Sequence, residues 1–193
     1  MNSKGYSLIE LIVAIAILSI VSIASIGFIV SGVNGYSSVS SNVNLQNRSL
    51  ITTNFIREYV IDCNEGIYFD GSDDTLYVFT SGENGSDEKE YTAHVFRYDS
   101  GTKCLYYGKN TADALGPGVF TCTNSAPDLL AKGVSSFLVA LNTERQISST
   151  GAHITYVSSV TVTIDFFVRD KSFKSSENIA LRNYPKPVTV NPA

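Results

Sequence analysis

Lys4-Gly5-Tyr6-Ser7-Leu8-Ile9-Glu10-Leu11-Ile12 opens an apolar run in which Glu10 stands alone: no other charge occurs from Leu11 to Asn47. A base, a glycine, an aromatic, a small polar residue and two aliphatics precede the acid. Leu11–Val30 supplies 20 residues, and a helix needs about 20 to cross a bilayer core. A carboxylate at that depth costs on the order of 3 kcal/mol on insertion scales, so it demands a function and a partner. An ordinary secretory signal has an apolar region of only about 7–15 residues. Its cleavage site would have to be the weak Ala24-Ser25-Ile26-Gly27. A plain signal-anchor accounts for the length and for Lys4 but gives no reason for Glu10.

The same string resembles the prepilin cleavage-and-methylation signature of type IV pilins and type II secretion pseudopilins. The match spans roughly the first thirty residues, with Tyr6 where the family more often has Phe. The resemblance implies cleavage between Gly5 and Tyr6 by a membrane prepilin peptidase, then N-methylation of Tyr6. It also gives Glu10 the register-setting role of the matching family glutamate. Charge physics agrees, because a new amine at Tyr6 and a carboxylate in low dielectric attract strongly. That argument alone allows pairing within one chain as well as between neighbours.

The chain has 193 residues, enough for one long anchor helix and one modest β-rich domain. Its net charge of −4, which becomes −5 once Lys4 leaves with the leader, gives no basic footprint for nucleic acid. Direct nucleic-acid binding is therefore not expected. The positive leader should stay cytoplasmic while the C-terminal domain crosses outward. The chain would then be a single-pass membrane protein before joining a filament at the cell surface or in the envelope.

The expected fold class is α+β, a long N-terminal helix packed on a mainly antiparallel sheet, as in pilins. Residues 1–5 read as leader, 6–35 as the transmembrane and assembly helix, and 36–62 as an amphipathic helix. Residues 63–183 read as the β-rich domain and 184–193 as a flexible tail. Gly27, Gly32, Gly35 and the serines from Ser37 to Ser41 weaken the helix locally. Gly27 could mark a segment that melts on assembly, or the glycines could allow close packing. Val39, Val43, Ile51, Phe55 and Tyr59, broadened by Leu50 and Ile56, predict the buried stripe.

Period-two patterning predicts strands at Thr75–Thr80, Tyr91–Asp99, Cys104–Tyr107, Val134–Asn142, Val157–Arg169 and Phe173–Leu181. Asp128–Lys132, after Pro127, reads as a short helical turn. The long fifth strand, a polar hairpin, a last strand and Leu181-Arg182-Asn183 resemble J-type minor pseudopilins and W-type minor pilins. That resemblance implies partnership with other major and minor pilins or pseudopilins, and with an assembly platform in the membrane.

Among the three cysteines, Cys104–Cys122 is the favoured disulfide because it would close a short loop, with all three free as the alternative. No cofactor is expected. Zinc on the thiolates plus His94 or His153 lacks any Cys-x-x-Cys pair. Calcium on Asp70–Asp74 or Glu83–Glu90 lacks EF-hand spacing. No hydrolase or phosphate-binding motif appears, so catalysis is not expected. The sequence thus predicts a minor pilin or pseudopilin that helps initiate or cap a type IV pilus or type II secretion-like filament. The rival reading is a membrane-anchored β-domain adhesin or receptor that never polymerises.

Overall fold

A computed structural model of the chain shows an α+β fold and describes residues 7–83, 88–147, 151–168 and 171–192. Helix α1 runs unbroken from Leu8 to Ile61. The loosening expected at Gly27, Gly32 and Gly35 is not seen. The cost of three scattered glycines is small against a continuous ladder of backbone hydrogen bonds. The chain divides into two compact units, one ending at Val43 and one beginning at Asn44.

In the second unit the buried face of α1 is Leu45, Ser49, Thr52, Thr53, Ile56 and Val60, a clean helical spacing. Half of that stripe is polar, which corrects the hydropathy reading in part: Ile56 is buried, and Phe55 and Tyr59 pack against the core, as expected. Leu50 and Ile51 are exposed at 61% and 67%, and Val39 and Val43 are exposed as well. Small hydroxyl residues let the helix sit close to the strands, and the Thr53 hydroxyl meets that of Ser175 at 3.4 Å.

The described strands are β1 (Gly66–Asp70), β2 (Thr75–Glu83), β3 (Lys89–Asp99), β4 (Cys104–Gly116), β5 (Val119–Cys122), β6 (Asp128–Lys132), β7 (Val134–Ile147), β8 (His153–Val168), β9 (Lys171–Ala180), β10 (Lys186–Pro187) and β11 (Thr189–Pro192). β1 to β5 pair in chain order, all antiparallel. β7, β8 and β9 form a separate antiparallel sheet. The predicted end of β8 at Arg169 and the turn at Asp170 lie outside the described residues.

β10 runs parallel to β1 at one edge of the large sheet, and β11 runs parallel to β5 at the other. Only Val188 separates them, so one short strap closes the sheet on itself. The expected flexible tail is therefore wrong for residues 186–192. Prolines forfeit donors, but at a sheet edge that loss is tolerated. The helical turn expected at Asp128–Lys132 is also wrong. That segment is β6, paired with Cys104–Tyr107 of β4. Its hydrogen bonds come from a partner distant in sequence, which local patterning does not register.

Closure makes two cores. Leu76, Val78, Phe96 and Leu105 pack with Ile56 and Val60 of α1 and with Ile164 and Phe166 of the second sheet. Tyr77, Phe79, Val95, Phe120, Cys122 and Val188 fill the interior of the closed sheet. Phe79 stacks on Phe120 with ring centroids 4.4 Å apart. Alternate residues of β2 thus face different cores, which is why Leu76-Tyr77-Val78-Phe79 is apolar throughout. β5 and β6 both return along β4, and the link between them crosses Gly108. A Cβ there would strike the Ser125 carbonyl oxygen and come within 2.8 Å of the Ala126 Cα.

Candidate functional site

The amides of Glu10 and Leu11 both reach the Ser7 carbonyl, at 3.0 and 3.2 Å. Ser7 therefore caps α1, and Glu10 is its third helical residue. Ser-x-x-Glu in that position is the order of a capping box, and it sets the acid at the positive end of the helix dipole. The sequence reading did not register this spacing of Ser7 and Glu10 at the helix start. The signal was present as Ser7 three residues before the acid. Gly5 and Tyr6 lie outside the described residues.

On both sides of Glu10 the helix presents bare apolar surface. Leu8, Ile20, Ile23 and Phe28 are 76%, 69%, 72% and 82% exposed. The three serines between Leu11 and Val30 hide their polarity within the helix. Ser19, Ser22 and Ser25 donate to the carbonyls of Ile15, Leu18 and Val21 at 2.7–2.8 Å. A span whose polar atoms are satisfied internally is what hydrocarbon requires. α1 is long and apolar enough to cross a membrane. In water such a surface would demand cover by another protein.

The cysteines do not converge. Cys63, Cys104 and Cys122 are all free and buried. Cys122 lies opposite Ala112 on β4, while Cys104 begins that strand. Eight residues of extended chain separate Ala112 from Cys104, about 26 Å at 3.3 Å per residue. A disulfide needs Cα atoms within about 7 Å, so the Cys104–Cys122 pairing is corrected. The turn after Gly116 sets Cys122 opposite the far half of β4, and it is β6, not β5, that reaches Cys104. The Cys63 thiol donates to the Gly66 carbonyl at 3.1 Å. Burial pushes the Cys63 thiol up to about 12 and the Cys122 thiol up to about 11.

His94 is buried between α1 and the large sheet. Its ring stacks on Tyr59 at 4.2 Å, and Nδ1 lies 2.9 Å from the Tyr107 hydroxyl. Burial, helped by nearby Lys109, lowers its pKa to about 4, so it is a neutral core residue at pH 7. The other histidine, His153, lies exposed at the start of β8.

In the acidic loop Asp70–Asp74, Asp70 serves its own turn. Asp70 Oδ1 accepts from the Ser72 hydroxyl and amide at 2.6 and 2.9 Å, and those bonds hold its carboxyl below the usual range. Asp73 Oδ2 takes Asn124 at 3.5 Å. Of the second loop, residues 84–87 lie outside the described residues. Among the described residues, no three His, Cys, Asp or Glu side chains gather as a metal site.

Residues 1–26 match the family model described as the prokaryotic N-terminal methylation motif. No curated protein and no solved structure matches the chain. A prepilin-type N-terminal methylation motif at residues 1–26, leading into a long apolar helix, is what this chain shares with the type IV prepilins and pseudopilins.

Proposed function

We propose that the chain is a minor pilin or pseudopilin, a structural subunit that helps initiate or cap a type IV pilus or type II secretion-like filament. The observation that carries this reading is the methylation motif at residues 1–26 joined to a helix whose apolar surface is left bare. Prepilin peptidase removes residues 1–5, and Tyr6 becomes the N-methylated amino terminus. The leader faces the cytoplasm and the β-rich domain lies outside. Leaving the membrane, the subunit covers its apolar surface with the helices of other pilins. Glu10 then takes the Tyr6 amine of a neighbour, because a carboxylate stripped of water needs a positive partner. The chain is a substrate of processing and does no catalysis itself.

A membrane-anchored adhesin or receptor would also use the helix but would never polymerise. Intact mass and N-terminal sequencing of protein from its own host's membranes tests the reading. A start at N-methylated Tyr6 supports it; retention of residues 1–5 beside an active peptidase sinks it. Glu10→Gln separates the two local roles of the acid. Glutamine can still serve a capping box but carries no charge. Processed subunits that no longer enter filaments are expected from both Glu10→Gln and Glu10→Ala. Normal filament entry by Glu10→Gln would reduce Glu10 to a helix cap.

A further inference from the structure

The strap Lys186–Pro192 is an unusual closure. It holds the large sheet shut through two residue pairs to β1 and four to β5. Its central side chain, Val188, is 6% exposed and enters the interior beside Phe79 and Phe120. The seat is shaped for that residue, since a Cβ on Gly66 would collide with the Val188 methyls. The Thr189 amide reaches the carbonyl of Gly118, a glycine at φ +76°, at 3.0 Å.

Three features mark the strap as releasable. Tyr184, just before it, holds a left-handed backbone at φ +48° while 63% exposed, a strain that departure of the strap would relieve. A cavity of about 320 Å³ lies beside it, lined by Tyr91, Phe120, Tyr184, Pro185, Lys186 and Val188. The strap thus borders empty space where dense packing would hold it harder. Lys186 and Pro187 point outward, so the strap is anchored inside by Val188 and, partly buried, Val190. Withdrawal would leave β1 and β5 as open edges flanking an uncovered apolar slot, which draws in another strand.

We propose that this slot is a strand-exchange site that takes the Lys186–Pro192 strap of a second copy of the chain. The second copy is the occupant favoured by the seat. The register, the notch at Gly66 and the acceptor at Gly118 already fit this sequence, and exchange of an identical element forms no contact that the single copy lacks. The idea concerns the β-rich domain alone and stands apart from the role of Glu10.

Val119 and Thr189 face each other across β5 and β11, partly buried and exposed respectively. Full-length Val119→Cys/Thr189→Cys should form a disulfide on mild oxidation, within one chain where the strap stays home and between two where it is exchanged. Full-length Val119→Cys and Thr189→Cys, on separately tagged chains made together in one membrane, should form a disulfide joining the two tags. Ser172→Cys, exposed on β9, replaces Thr189→Cys as the collision control. Joined tags above that control support exchange. A within-chain bond without joined tags overturns it, because the strap then stays home. Failure of the double variant to form this disulfide either within or between chains also overturns it, since no strap would occupy the slot. Either negative leaves filament entry through Glu10 untouched.

Discussion

Acidification should weaken the docking of α1 onto the large sheet through one residue, His94. An unfolded histidine titrates at 6.5, while the buried ring titrates at about 4. Between those values the unfolded chain binds more protons than the folded one. Stability is therefore complete above pH 6.5, falls as pH drops toward 4, and levels off below. Linkage gives a loss on the order of 1–2 kcal/mol at pH 5. Asp70 and Asp99 have lowered carboxyl pKa values, so their contributions fall away at lower pH. The assay is urea unfolding of the full-length protein in detergent, followed by near-UV circular dichroism. With 11 Tyr and no Trp, that signal reports tyrosines such as Tyr59 and Tyr107. The midpoint should drop by roughly 0.5–1 M urea between pH 7.5 and pH 5. His94→Gln should cost stability at pH 7.5 by losing the stack on Tyr59, yet change little from pH 7.5 to 5. An equal pH-dependent drop in the variant and the parent would refute the assignment to His94.

Phe79→Ala should destabilise the β-rich domain by about 3–5 kcal/mol, because the ring is fully buried against Phe120; calorimetry of the full chain measures it. Gly108→Ala should cost about 1–3 kcal/mol, since its neighbours are backbone atoms of Ser125 and Ala126 that cannot rotate away. Urea midpoints unchanged by that alanine would show that the crossing is loose. Iodoacetamide at pH 8 should leave Cys63 and Cys122 unmodified in the folded protein and label all three cysteines after denaturation, as judged by intact mass. Labelling that reaches fewer than three thiols without reductant would reveal a disulfide that the fold does not contain.

The sequence by itself determined the helix, its apolar span and the motif around Glu10. Those features are local: a run of aliphatics and one acid mean the same thing wherever the rest of the chain goes. It also determined the long strand β8, whose Val160, Val162, Ile164 and Phe166 alternate into one buried face. Hydropathy found Phe55, Ile56 and Tyr59 on the packed face of α1 but missed Ser49, Thr52 and Thr53, whose burial depends on strands distant in sequence. The cysteine pairing was undecidable from spacing, since register along β4 sets the separation of Cys104 from Cys122. β6 and the strap look like a helical turn and a proline-rich tail until β4, β1 and β5 offer them hydrogen bonds. Tertiary structure alone decided these points, because a strand's identity is held by its partner and a closed sheet exists only once its first and last edges meet.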